Sequence, residues 1–325
     1  MFISKMIDHY ALNDLHKDRS KEYQYHIDSA HTPINIERET FYKVVKPISN
    51  IALNITSTEH GYNIGKFGFK SQIPSGEKFN DYVTGEAFIN ESEGKPNVIF
   101  VHGWRMKAFD RVKKIFHNSI MNNLGWNMYY YTLPYHLDRQ PEQSLYSGEF
   151  MVSANINRTV ESTRQAIVDL RALIQWLKNN KQGPVIIIGV SLGGFISNLV
   201  ATLEPEIDAL VSIMYSNRLS YSIWNTIPGK YIRQDLEYHG VNYNDLIKYW
   251  EITEPNQALP KINKDNILLI SAKYDQYVDI QDANLLWEAW QKPTRYIYNC
   301  GHAGIVLKRK KIAKDTISFL QNKIR

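Results

Sequence analysis

Short runs of hydrophobic residues alternate along the chain with longer segments whose apolar residues recur at helical spacing. The runs predict strands, in chain order, at Asn63–Lys70, Tyr82–Asn90, Asn97–Val101, Trp126–Leu133, Val185–Ile188, Ala209–Met214, Ile267–Ser271 and Thr294–Tyr298. The first two strands are joined by a turn-rich segment and suit an antiparallel pair at a sheet edge. Because the later strands alternate with helices, the pattern predicts a mostly parallel sheet covered on both faces.

Helical spacing predicts the elements between these strands. The predicted helices are Lys113–Leu124, Arg158–Lys181, Phe195–Leu203, Asp282–Gln291 and Lys311–Ile324. The longest interval without a strand runs from about Tyr215 to Asn266 and is rich in tyrosine and tryptophan. A long insertion between late strands favours a helical lid over a ligand site rather than a disordered loop.

Residues 1–62 carry no chemical motif. Their spacing predicts an amphipathic helix over Met1–Leu15, with Met6 and Tyr10 among the apolar positions, and Phe41–Ile55 is apolar enough for a helix interrupted by Pro47. We therefore predict an N-terminal extension over residues 1–62 and an α/β domain over residues 63–325, with the lid at about residues 215–262. The extension either completes the packing over the core, which we favour, or contributes to substrate binding.

Composition narrows the function classes. Of 325 residues, 43% are hydrophobic and 22% charged, with a net charge of +5, which is ordinary globular usage. No basic stripe with interleaved aromatic residues indicates a nucleic-acid partner. No apolar stretch approaches the roughly 18 residues of a membrane span, and the first residues lack the apolar segment of a secretory signal. Cys300 is the only cysteine, which suits a reducing compartment, and we expect a cytoplasmic protein.

A Gly-Val-Ser-Leu-Gly sequence follows the strand Val185–Ile188 and precedes a predicted helix. This is the context that the Gly-x-Ser-x-Gly motif requires, because a tight turn between strand and helix exposes the central serine. Gly189 and Gly193 lack side chains that would collide in such a turn. Ser191 is the predicted nucleophile, and the alternative is an idle serine in a glycine-rich turn.

A serine hydroxyl needs a base to take its proton, and the base needs an acid to orient it. Asp275 lies in the loop after Ile267–Ser271 and is the favoured acid, with Asp279 as the second candidate. His302 follows the last strand and is the predicted base, unless it is a surface loop histidine. The order Ser191, Asp275, His302 matches one of the known triad orders.

An acyl-transfer intermediate also needs N–H donors for its oxyanion. We predict the backbone N–H groups of Leu192 and Trp104, the latter in the His-Gly-Trp loop after Asn97–Val101. The Trp104 side chain either walls an acyl pocket or packs in the core, and His102 is expected to be structural. In a further loop, His136 and Arg139 are candidates for contact with a polar or anionic substrate group, the alternative being a solvated loop with local salt bridges.

Four stretches, Val98–Trp104, Gly189–Gly194, Lys273–Val278 and Gly301–His302, resemble the α/β-hydrolase superfamily, and the resemblance covers about residues 64–325. The resemblance implies an eight-stranded, mostly parallel, doubly wound α/β sheet with a lid inserted late, and neither a metal nor an organic cofactor. The single glycine of the His-Gly-Trp loop departs from the glycine run of many lipases and esterases.

Three functions remain open at this point. The favoured one is a serine hydrolase, esterase- or lipase-like, that cleaves a carboxylic ester or thioester of a small acyl substrate through an acyl-enzyme on Ser191. The second is a peptidase or amidase with the same triad, although the chain leaves little room for the gating domain such enzymes usually add. The third is a small-ligand binding protein with an inert site, which would have no need of all three triad residues.

Overall fold

The computed structural model describes residues 2–17 and 24–324. In this part of the chain nine strands form one sheet in the order β1-β2-β3-β5-β4-β6-β7-β8-β9. The strands are β1 Ala52–Glu59, β2 Tyr62–Lys70, β3 Tyr82–Asn90, β4 Asn97–Val101, β5 Asn127–Tyr131, β6 Val185–Val190, β7 Ala209–Ile213, β8 Ile267–Ala272 and β9 Thr294–Tyr298. Strands β1, β2, β3 and β5 pair antiparallel, and all pairs from β5 to β9 are parallel.

Helices cover both faces of the sheet. They are α1 Phe2–Lys17, α2 Arg38–Phe41, α3 Asp110–Asn118, α4 Ile156–Lys181, α5 Leu192–Ala201, α6 Leu219–Asn225, α7 Lys230–Tyr238, α8 Tyr243–Trp250, α9 Ile280–Ala289 and α10 Ile305–Lys323. A π-helical turn spans Ser119–Asn123, and short 3₁₀ turns lie at Ser29–His31, Leu137–Arg139, Ile227–Gly229, Glu251–Thr253, Pro255–Gln257 and Lys264–Asn266. This architecture confirms the predicted α/β-hydrolase fold.

The central strands are apolar throughout because both of their faces are buried. In β4, Ile99 and Val101 face the core cluster that contains α4 and α5, whereas Val98 and Phe100 face the cluster that contains α3 and α10. All four side chains are inaccessible to solvent. The two clusters pack the parallel strands between two helical layers. The loops at the carboxyl ends of the strands can therefore carry functional residues.

The N-terminal part of the sheet differs from the prediction. The helix predicted over Phe41–Ile55 is wrong: the short α2 ends at Phe41, and the chain then enters β1, so the sheet extends back to Ala52. The hairpin between β1 and β2 turns through His60 and Gly61, with φ of 51° and 78°, as a two-residue turn of matching twist requires. The hydrophobic pattern does not reveal β1 because this edge strand is mostly exposed and buries few side chains.

The predicted insertion between β7 and β8 is helical and contains α6, α7 and α8. It contacts both the body of the molecule and α1. The indole of Trp250 donates to the carbonyl of Ile156 at the start of α4 (3.4 Å), and His16 of α1 bonds to the carbonyl of Ile227 (3.1 Å). Within residues 2–17 and 24–324, no helix has the length and apolar content needed to cross a membrane.

Candidate active site

Ser191 occupies the turn between β6 and α5 with φ 58° and ψ −118°. A residue other than glycine rarely adopts this backbone conformation. Such strained residues are typical of functional turns that the surrounding structure holds in place. Cβ atoms at Gly189 or Gly193 would overlap neighbouring backbone, in the second case the carbonyl of Val101. Both glycines are therefore needed for the strand and helix to approach as closely as the turn demands.

The structure brings the three predicted triad residues together. The Nε2 atom of His302 lies 3.0 Å from Oγ of Ser191, and Nδ1 lies 2.8 Å from Oδ2 of Asp275. The other carboxylate oxygen of Asp275 accepts the backbone N–H groups of Tyr277 and Val278, at 2.8 and 2.9 Å. Because Asp275 accepts from Nδ1, Nε2 is left as the acceptor for the serine hydroxyl.

Two neighbouring carboxylates, Asp275 and Asp8, influence the pKa of His302. Burial lowers the pKa of His302, but the ion pair and hydrogen bond with Asp275 and the charge of Asp8 together raise that pKa above its ordinary value. The ring of Tyr277 stacks on the imidazole, with centroids 4.5 Å apart and planes 15° apart. The surroundings thus favour the imidazolium that forms when the base takes a proton.

Asp279, the second candidate for the acid, has other partners. It caps the N-terminus of α9 by accepting the N–H of Gln281 (2.8 Å) and also accepts the hydroxyl of Tyr221 from α6 (3.0 Å). Its carboxylate satisfies a helix terminus, and it is Asp275 that meets His302.

The His-Gly-Trp loop passes beside the serine. A Cβ at Gly103 would lie 3.3 Å from Cβ of Ser191 and 3.8 Å from its Oγ. Leu192 is the first residue of α5, where N–H groups have no partner within the helix. The indole of Trp104 donates to the carbonyl of Gly148 (2.8 Å), which ties the loop to the segment facing it. The backbone N–H groups of Leu192 and Trp104 thus belong to the two segments that flank Ser191.

His102 is buried and uncharged. Its Nε2 accepts the N–H of Leu133 (3.1 Å), so Nδ1 carries the hydrogen and donates to the carbonyl of Gly103 (2.8 Å). Burial lowers the pKa of His102 to about 4. This histidine therefore joins the loop after β4 to the loop after β5, which is a structural role.

The structure contradicts the predicted substrate contact by Arg139. Its side chain is inaccessible to solvent, and it donates to the carbonyls of Asn80 (2.7 and 2.9 Å) and Thr132 (3.1 Å) and to Asp169 (3.3 Å). Burial raises the pKa of Asp169 to about 6 despite this neighbour. The guanidinium points into the protein because its partner lies on α4, which a local sequence pattern does not reveal.

His136 does not face a ligand either. It is fully buried, its Nδ1 donates to the carbonyl of Pro134 (2.8 Å), and its Nε2 accepts the N–H of Arg105 (3.3 Å). Burial lowers the pKa of His136 well below its ordinary value, so the ring is neutral. Gly148 leaves room for the imidazole, since a Cβ there would overlap the ring. His136 supports the backbone just after Trp104 instead of binding substrate.

A residue outside the predicted site also reaches it. Asp8 of α1 is fully buried, and its Oδ2 accepts the N–H groups of His302 (2.8 Å) and Gln276 (3.1 Å) while its Oδ1 accepts that of Ala303 (2.9 Å). The N-terminal helix turns this residue and Leu12 inward.

The predicted N-terminal helix is confirmed as α1, but its predicted apolar face is only partly buried. Met6 and Tyr10 are 55% and 79% exposed, whereas Ile7 and Ala11 are half-buried. The sequence carries little signal for the burial of Asp8, because Ser4 and Lys5 share the helical face of Asp8 and Leu12, and the face is therefore not an apolar stripe.

Comparison with known proteins identifies the family. Residues 79–236 match the family model described as alpha/beta hydrolase domain containing 18. The chain is 71% identical to the uncharacterized protein YdjC of Bacillus subtilis over 115 residues, which are 35% of this chain and 99% of that protein. It is 25% identical over 228 residues, 68% of this chain, to the uncharacterized protein MT2702 of Mycobacterium tuberculosis, and spans about half (53%) of that relative.

Among solved structures, an acetyl xylan esterase from Paenibacillus sp. R4 is similar with a TM-score of 0.68 and 11% identity, over 96% of this chain and 99% of that one. At this identity the likeness concerns the fold alone. The range of the family model, residues 79–236, contains the His-Gly-Trp loop and the turn that carries Ser191. On these grounds the chain belongs to the α/β-hydrolase superfamily.

Proposed function

We propose that this protein is a serine hydrolase that cleaves a carboxylic ester or thioester through an acyl-enzyme on Ser191. One observation carries the proposal: Ser191, His302 and Asp275 form a continuous hydrogen-bonded line of 3.0 and 2.8 Å. A hydroxyl, an imidazole and a carboxylate in this order supply a nucleophile, its base and the group that orients the base.

The reaction proceeds in two halves. His302 Nε2 takes the proton of Ser191 as Oγ attacks the substrate carbonyl carbon, and the N–H groups of Leu192 and Trp104 receive the oxyanion. Each such donor is worth about 3–4 kcal/mol in the transition state. The intermediate collapses when the imidazolium gives its proton to the leaving alcohol or thiol. Water then attacks the acyl-enzyme and gives a proton to His302. The bond between the acyl carbon and Oγ breaks, the carboxylic acid leaves, and the imidazolium returns the proton to Oγ of Ser191, while Asp275 orients the ring throughout.

The choice of bond is a finer part of the proposal. The acetyl xylan esterase of similar fold acts, by its name, on an ester, and no segment of the described chain forms a separate gating domain of the kind common in peptidases. A peptidase or amidase on the same triad is the alternative. We also propose a reducing, cytoplasmic location, because the one cysteine, Cys300, is buried and unpaired.

A fluorophosphonate probe tests the nucleophile. We expect labelling of the wild type and of Ser318→Ala, which removes an exposed serine on α10, and no labelling of Ser191→Ala. An unlabelled but folded wild type would favour the inert binding protein. A panel of p-nitrophenyl esters with rising chain length, assayed beside peptide amides, then identifies the bond: turnover of amides at rates matching those of esters would contradict the ester proposal.

A further inference from the structure

The buried face of α1 carries a carboxylate, Asp8, beside the apolar Leu12. Asp8 is enclosed completely, and each of its backbone partners belongs to one of two loops: Gln276 follows the triad acid directly, and His302 is the triad base itself. A single side chain thus contacts both loops that must stay in register for the triad to function.

The three backbone hydrogen bonds to Asp8 are stronger than ordinary hydrogen bonds because the acceptor is a carboxylate. Hydrogen bonds to an ionised acceptor are about twice as strong as neutral ones, and three backbone donors converge on this carboxylate. The donors belong to the main chain, so they fix the loop backbone itself. The imidazole of His302 can then hold its 3.0 Å distance to Ser191 Oγ without a rearrangement during the reaction.

The loop is also shaped to receive the carboxylate. A Cβ at Gly301 would lie 2.5 Å from Oδ2 of Asp8, so the glycine before the base provides the space that the carboxylate fills. The other end of α1 is tied to the lid through His16, whose ring meets that of Tyr231 at 5.0 Å between centroids. The helix is therefore held between the lid and the catalytic loops.

We infer that Asp8 is a positioning residue of the active site, which joins the loops carrying Asp275 and His302 and makes the N-terminal helix part of the catalytic unit. The inference rests on the proposed function. Asp8 also places a second negative charge near the imidazole, beside that of Asp275. The Tyr277 ring and the Ser191 hydroxyl also lie close to the imidazole. Burial, together with the charges of Asp275 and Asp8, raises the pKa of the Cys300 thiol.

The test is the rate of fluorophosphonate labelling of full-length protein across pH. In Asp8→Asn, the amide oxygen can replace only one of the two carboxylate oxygens, and the N–H₂ group then faces at least one backbone N–H donor. We therefore expect the plateau rate to fall about 10- to 100-fold, as a small misplacement of a catalytic group does. Loss of the Asp8 charge lowers the pKa of His302, so the acid limb should move to lower pH. Glu288→Gln, which removes an exposed carboxylate on α9, should change neither.

Gly301→Ala is the second variant. It keeps the charge but displaces the carboxylate, so the plateau should fall while the acid limb shifts less than in Asp8→Asn. The double variant should lose less than the product of the two single losses, because both changes break one contact. If Asp8→Asn fails to fold, Gly301→Ala decides alone: a wild-type plateau rate there overturns the inference.

A folded Asp8→Asn protein with the wild-type plateau rate would overturn the inference about Asp8. A lower plateau rate with an unmoved acid limb would also overturn it, because that result indicates a structural role only. Hydrogen exchange separates this failure from that of the proposed function. Even if Ser191 does not react, the amides of His302 and Ala303 should exchange faster in Asp8→Asn than in wild type. Unchanged exchange would show that Asp8 does not hold the loop.

Discussion

Replacement of Arg139 by methionine tests whether this side chain is part of the structure or of the substrate site. Both Arg139 and Asp169 are wholly buried, and the guanidinium is also the donor for the carbonyls of Asn80 and Thr132. Methionine fills much of the volume but donates nothing. The change removes the positive charge beside Asp169, which keeps only neutral donors such as the Ser71 hydroxyl, and it removes the guanidinium donor from two backbone carbonyls.

The expected loss is large. Removing one partner from a buried ion pair destabilises a protein by about 3–5 kcal/mol, because the remaining charge is left uncompensated. At about 2 °C per kcal/mol for a large domain, Tm should fall by about 6–10 °C. Replacing both members, as in Arg139→Met with Asp169→Leu, removes the stranded charge and should recover much of the loss.

Urea unfolding followed by tryptophan fluorescence measures this effect, and labelling by the fluorophosphonate at 25 °C provides the functional readout. We expect Arg139→Met to react at the wild-type rate while it is folded. A loss below about 1 kcal/mol would refute the structural argument, since a buried charge would then have no need of its partner. Normal stability with impaired turnover would restore the predicted substrate contact of Arg139.

Three further outcomes follow from the site. Asp275→Asn should lower kcat by about 10⁴-fold, by analogy with the loss of the acid in a serine protease triad. Asp279→Ala should keep the wild-type kcat and lose about 1 kcal/mol of stability, because it removes a helix cap. Equal losses of kcat in the two variants would contradict this assignment. The pKa of His302 is raised, and His302 must be neutral to act as a base. Ester hydrolysis should therefore fall as the pH is lowered, with a midpoint above 6.5, the ordinary pKa of histidine. A pH–rate profile with a midpoint below 6.5 would be inconsistent with the raised pKa. Gly193→Ala should abolish labelling and lower Tm, because its Cβ would overlap the Val101 carbonyl, and a fully active variant would show that the turn can relax.

Much of the central sheet could be predicted from the sequence, because strands buried on both faces are continuous apolar runs with clear ends. The spacing of Ser191, Asp275 and His302 was likewise informative, since parallel strands end at one edge of the sheet and their loops meet there. The order of three polar residues along the chain therefore predicted a spatial arrangement, and the structure places them at hydrogen-bonding distance.

The contributions of Arg139, His136 and Asp8 could not be predicted in the same way. Each depends on a partner distant in sequence: Arg139 meets Asp169 across 30 residues, and Asp8 meets His302 across 294. A local pattern reports a residue type and its spacing but not whether the side chain turns inward. Direction is decided by tertiary packing, as the orientation of α1 demonstrates.

The separation of Asp8 from His302 has a consequence for refolding from denaturant. The two residues lie 294 positions apart, and contacts between distant parts of a chain form only after much of the chain has been ordered. Recovery of fluorophosphonate labelling should therefore lag behind recovery of the sheet, because the loop that carries His302 is completed by a helix that is distant from it in sequence.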